Sequence, residues 1–203
     1  MRETTTALEG GFADPAEDAQ AVFRAVMDAM ARPATVIHVK LPVVPPSPLP
    51  PLVGALACTL ADADTPLWLD PALAQSEAVR EWLVFHTGAP IVAQPAEAAF
   101  ALATAGSALP PLHSFAQGTQ EYPDRSATLV LAVEAFDGGA PLTFRGPGIR
   151  GETTLAPRGL PADFAAQWTE NGQRFPRGVD LVLVAGGALA CLPRSARLIA
   201  REN

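Results

Sequence analysis

The sequence predicts a three-layer α/β domain with a mixed β-sheet, on three observations. Helical and strand-like segments interleave along the chain with no break in composition. Ala127 to Phe136 is apolar on both faces in its first half, as a central strand of a covered sheet should be. Val179–Ala185 and Ala188–Leu192 flank Gly186-Gly187, a two-residue signal for a tight hairpin.

The first helix is the clearest element. Asp14-Pro15-Ala16-Glu17 reads as a capping box with Asp14 at the N-cap, Pro15 at the first helical position and Glu17 at the third. Ala19, Val22, Phe23, Val26, Met27 and Met30 then fall on one face of a 3.6-residue period, and Arg32-Pro33 stops it. Thr35–Val39 is β-prone. The six prolines between Pro42 and Pro51 make residues 42–51 a stiff surface loop. Leu52–Leu60 is helical and closes in the turn Asp62-Ala63-Asp64-Thr65-Pro66, after which Leu67–Leu69 is a short strand. Ser76–Phe85 is an amphipathic helix with Val79, Trp82, Leu83 and His86 inward. Ile91–Ala93 and Ala98–Leu102 are short strands. Leu109–Gln117 is expected to be a helix ended by Gly118, Leu142–Arg145 to pair with the central strand, and Asp163–Gln173 to be the last helix. All 203 residues are assigned to one domain, with residues 1–13 a loose N-terminal segment.

Composition removes several function classes. A hydrophobic fraction of 49% with 17% charged residues excludes a disordered chain. No apolar run approaches the roughly 18 residues of a membrane span, and Met1–Glu9 lacks the apolar stretch of a signal peptide, so a cytoplasmic protein off the membrane is expected. A net charge of −7 argues against nucleic acid, whose phosphates require clustered cations. Cys58 and Cys191 sit among small apolar residues at no metal-binding or redox spacing.

Each candidate for chemistry has a plainer structural reading. Asp62-x-Asp64 can hold a divalent metal, but the same residues suit a helix-ending Asx turn, and no metal site is assigned. His86 can act as acid or base, or simply complement the negative end of its helix. Thr143-Phe144-Arg145-Gly146-Pro147-Gly148 is a Gly-rich turn with an arginine at its start, which suits a phosphate or phosphonate. Thr143, Arg145, Gly146, Gly148 and His86 are therefore the anion-binding candidates, although Gly-Pro-Gly also marks an ordinary tight turn. Lys40 is the single lysine and is expected to be exposed beside the proline loop, which speaks against a Schiff-base cofactor such as pyridoxal phosphate.

An ordered series of blocks resembles one known family. It runs from Phe23-Arg24, Met27, Met30 and Arg32-Pro33 through Thr59–Leu69, Phe85–Val92, Gly118-Thr119 and Pro123–Leu129. It continues through Gly146–Ile149 and Phe175–Leu181 to Leu192-Pro193-Arg194. This is similar to the PhnH family, subunits of the bacterial carbon–phosphorus lyase system. The resemblance implies a fold like the large domain of pyridoxal-phosphate transferases without the cofactor, and a heteromeric core complex with PhnG, PhnI and PhnJ subunits. It implies a non-catalytic or accessory role while the complex joins ATP and an alkylphosphonate, releases adenine and gives a ribose 1-alkylphosphonate 5-triphosphate. It transfers no catalytic residue to this chain.

Two other readings make different demands on the structure. A stand-alone enzyme acting on an anionic phosphorylated molecule needs His86, Arg145 and the Gly146–Gly148 turn in one cleft. A ligand-sensing protein on the same scaffold needs stabilisation by a phosphonate or nucleotide. The subunit reading requires an exposed apolar patch on the isolated chain, for which a homodimer is the default oligomer.

Overall fold

The computed structural model describes residues 8–40 and 43–199. Helix α1 spans Pro15–Ala31, and the Asp14 carboxylate accepts from the Ala16 and Glu17 amides at 3.1 Å each. Such a cap contributes about 1 kcal/mol by satisfying amides that lack a partner within the helix. The buried stripe is Val22, Val26 and Ala29, whereas Phe23 and Met27 lie on the exposed side of the same helix. The apolar period is real, but its flank faces outward. Helix α2 (Pro51–Leu60) is buried over most of its length. Helix α3 (Pro71–Gln75) is a short turn not expected from the sequence, and α4 (Glu77–Thr87) follows with Ser76 as its cap. Helix α5 spans Phe164–Gln173.

Among the described residues, ten strands form two sheets. The larger contains β1 (Ile37–His38), β2 (Leu67–Leu69), β3 (Ile91–Val92), β4 (Phe100–Ala103), β5 (Thr128–Ala132), β8 (Asp180–Ala185) and β9 (Ala188–Leu192). Its order is β1-β9-β8-β5-β4-β2-β3. The five strands from β8 to β3 are parallel, and β9 and β1 add antiparallel pairs, so the sheet is mixed. The β8–β9 hairpin turns at Gly186, whose φ of +54° is a left-handed conformation that glycine adopts without a Cβ penalty.

Side-chain alternation separates two cores. Val130, Ala132, Val182, Val184, Leu189 and Cys191 face a cluster with α1, α2 and α4. Leu129, Leu131, Leu181, Leu183, Ala190 and Leu192 face the other side, toward α5 and a small second sheet. That sheet has the order β10-β6-β7, with β6 at Leu142–Arg145, β7 at Thr153–Leu155 and β10 at Arg197–Leu198.

Two expectations are corrected. Leu142–Arg145 does not pair with the central strand, because both edges of β5 are already occupied by β4 and β8. It pairs with β7 and β10 instead. Leu109–Gln117 is not an α-helix, since only the 3₁₀ turn Leu112–Ser114 forms there. Pro110 and Pro111 lack amide donors and push the residues before them out of the helical region. Gly118 nevertheless has φ +69°, and a Cβ there would sit 2.7 Å from the Pro123 carbonyl oxygen.

The loop of prolines is also more than a surface feature. Pro42 lies outside the described residues, but Val43 and Leu49 are buried in the first core while Val44 stands exposed. The N-terminal segment is not loose from Leu8 onward. The Trp82 indole donates to the Glu9 carbonyl at 2.9 Å, and the Val44 amide donates to the Gly10 carbonyl at 2.8 Å.

Candidate functional site

The five anion-binding candidates fall into two separate places. His86 is in the last turn of α4, whose Val79, Trp82 and Leu83 pack into the first core. Its ring lies 4.5 Å from Trp82 and 5.0 Å from Phe85, centroid to centroid. Its Nε2 is 3.0 Å from the Leu8 carbonyl oxygen, so that nitrogen carries the proton and donates. The ring thus holds the N-terminal segment. Arg145 ends β6, whose Leu142 and Phe144 belong to the second core. The seven-stranded sheet stands between them, and the structure does not bring His86 and Arg145 into one cleft.

Around Arg145 the polar groups face each other. The Thr143 hydroxyl is 2.9 Å from the Thr154 hydroxyl across the β6–β7 pair. Arg145 makes an exposed ion pair with Glu152. Gly148, at φ +80°, lies so close to the end of α1 that a Cβ would be 2.2 Å from the Ala31 carbonyl oxygen. A Cβ on Gly146 would be 2.7 Å from the Ser195 carbonyl oxygen. Both glycines allow backbones to approach, and the Ile149 amide of the same turn donates back to Gly146. Asp62 is likewise used locally, accepting from the Asp64 amide at 3.0 Å and the Thr65 hydroxyl at 3.1 Å. Among the described residues, no three His, Cys, Asp or Glu side chains gather to hold a metal.

The buried polar groups that sequence reasoning passed over are structural joints. Asp70 is fully buried at the carboxyl end of β2. One oxygen caps α3 through the Leu73 amide at 2.8 Å, and the other accepts from the Thr104 amide at 2.7 Å and hydroxyl at 2.6 Å. Asp70-Pro71 repeats the Asp14-Pro15 signature, which is the signal that could have revealed both residue and helix. Asn171 spans α5 and the approach to β8, donating to the Val179 carbonyl and accepting its amide.

Arg194 is the largest joint. Its guanidinium grips Asp180 through two nitrogens, and Nη1 donates to the Pro123 carbonyl at 2.6 Å and the Pro176 carbonyl at 3.4 Å. Three separate stretches of chain meet there, at the amino ends of β5 and β8. The neighbouring Cys191 thiol is pushed up to about 12, first by burial and then by the Asp180 carboxylate. Burial pushes Cys58 up to about 12, against a backbone hydrogen bond that lowers it. Neither thiol is a nucleophile near neutral pH.

What the surface offers is contact area. On α4, Val84 and Phe85 are exposed beside Leu8 and Ile91, around an open apolar recess of about 690 Å³. Phe23 and Met27 are exposed on α1, and Tyr122 and Phe175 on two loops. No helix among the described residues is long and apolar enough to cross a membrane.

Comparison with known proteins supplies what the geometry alone does not, a family. Residues 10–199 match the family model described as bacterial phosphonate metabolism protein (PhnH). The chain is 51% identical over 198 residues to the alpha-D-ribose 1-methylphosphonate 5-triphosphate synthase subunit PhnH of Rhizobium meliloti strain 1021, covering 98% of each. It is 40% identical over 81 residues to the putative C-P lyase subunit protein HtxG of Stutzerimonas stutzeri, covering 40% of this chain and 42% of that one.

Proposed function

Because the chain belongs to the PhnH family of bacterial phosphonate metabolism proteins, we propose that it is an accessory, non-catalytic subunit of a carbon–phosphorus lyase complex. Its partners in this reading are PhnG, PhnI and PhnJ subunits. Their joint reaction displaces adenine from ATP with an alkylphosphonate. The observation that carries the accessory role is the separation of His86 from Arg145 by the main sheet. Each candidate polar group is engaged in a local structural contact, while several large apolar side chains remain exposed. An obligate subunit leaves such surface uncovered when alone.

Two related readings belong with this one. The fold is akin to the large domain of pyridoxal-phosphate transferases without the cofactor, supported by the mixed seven-stranded sheet and by Lys40 standing exposed beyond β1. The chain works in the cytoplasm as one domain and pairs as a homodimer when isolated. The two cores share a single sheet, and both cysteines are free thiols, as a reducing compartment keeps them.

Deletion of this chain's gene in its host tests the role. Growth on methylphosphonate as sole phosphorus source should be lost and growth on phosphate retained. Complementation with His86→Ala or Arg145→Ala should restore growth on methylphosphonate. A failure of these variants, correctly folded, to complement would contradict the non-catalytic reading.

A further inference from the structure

We propose that the loops at residues 119–126 and 174–178 form a preorganised docking surface for an acidic segment of a partner subunit. The inference rests on the subunit reading above and adds which face is used and what it binds. Arg194 holds the two loops together by donating to the carbonyls of Pro123 and Pro176. The residues just before those prolines, Tyr122 and Phe175, are 51% and 53% exposed. Arg125 lies over the Tyr122 ring at 4.2 Å from its centroid. Arg174 and Arg177 flank Phe175, and none of the three arginines forms an ion pair among the described residues. Glu121 and Asp124 are the only acids in these loops, so the balance is locally positive on a chain of net charge −7.

Tyrosine, phenylalanine and arginine are residue types enriched in the cores of protein interfaces. An anchor surface gains most when it is rigid before binding. These loops are fixed from below by the Arg194–Asp180 pair, by Asn171 on Val179 and by the Gly178 amide donating to Gln117 at 2.9 Å. The half-exposed aromatics project outward, whereas small-molecule sites are concave, which favours a protein partner over a free anion. A locally cationic patch selects carboxylates and steers their approach. The recess beside Phe85 is larger, but nothing in the structure shows what covers it.

The test is recovery of the other core subunits with tagged chain from its host grown on methylphosphonate, at low and high salt. Arg125→Glu/Arg177→Glu should lower partner yield at least about tenfold, as should Tyr122→Ala/Phe175→Ala, because a few buried anchors carry most of an interface's affinity. Arg125→Lys/Arg177→Lys should retain most of it, and wild-type recovery should fall with salt. All these side chains are exposed or nearly so, and melting temperatures matching wild type confirm folding. Wild-type recovery by every variant overturns the surface while the subunit reading stands. A wild-type chain recovered alone overturns both. Weakened ATP binding with unchanged assembly would overturn the assignment in favour of a nucleotide site.

Discussion

Arg194→Ala removes a side chain that joins three stretches of the fold, and its cost can be worked from the contacts. Arg194 and Asp180 side chains are 14% and 17% exposed, so the pair is largely out of water. Deleting one partner of a buried pair costs about 3–5 kcal/mol, because the other charge is left uncompensated. Residual exposure and the retained amide of residue 194, which bonds Asp180 at 2.7 Å, place this pair near the lower end, about 3 kcal/mol. The Pro123 and Pro176 carbonyls also lose a charged donor, adding about 1 kcal/mol. The sum, about 4 kcal/mol, corresponds to a fall in melting temperature of roughly 8–16 °C for a domain of this size. Urea unfolding followed by the fluorescence of buried Trp82 and Trp168 measures it. A double-mutant cycle with Asp180→Asn should show coupling of about 2 kcal/mol. A loss below about 1 kcal/mol, or an additive cycle, would refute the claim that this pair is a structural joint.

Three further predictions follow from single positions. Gly148→Ala should destabilise by about 2–4 kcal/mol, since φ +80° and a Cβ 2.2 Å from the Ala31 oxygen add conformational strain to overpacking; calorimetry showing a neutral change would return the turn to consideration as a ligand loop. Asp70→Ala should cost about 3 kcal/mol by freeing the buried Leu73 amide and the half-buried Thr104 amide, read by the urea midpoint, and a change within about 0.5 kcal/mol would contradict its role. Cys58 and Cys191 should resist alkylation in the native protein at pH 8 and react on unfolding. Their folded values, about 12 against an ordinary 9.0, mean that the folded state holds those protons more tightly. Their contribution to stability is therefore complete below pH 9 and is lost as pH rises toward 12. Cys58→Ala/Cys191→Ala should weaken that alkaline slope, and an unchanged slope would count against it.

Much of the fold was legible because local signals coincided with tertiary ones. The Asp14-Pro15 cap, the Gly186-Gly187 hairpin and the doubly apolar β5 each state their structure within a few residues. Sheet membership of β6 was not legible, because a strand's neighbour depends on which edges other strands have already taken. The outward turn of Phe23 and Met27 was not legible either, since periodicity finds a face but not where its burial stops. The site was harder still. His86 and Arg145 are each reasonable for chemistry in isolation, and only the sheet between them separates their roles. Arg194 reads as an ordinary basic residue until Pro123, Pro176 and Asp180 are seen around it.

The central claim is that this chain works inside an assembly. The most direct measurement is the mass and composition of the tagged protein purified from its own host under phosphate starvation with methylphosphonate. The account predicts a stable complex in which PhnG, PhnI and PhnJ subunits accompany this chain in fixed stoichiometry. Recovery of the chain alone, under conditions where those subunits are expressed, would contradict it.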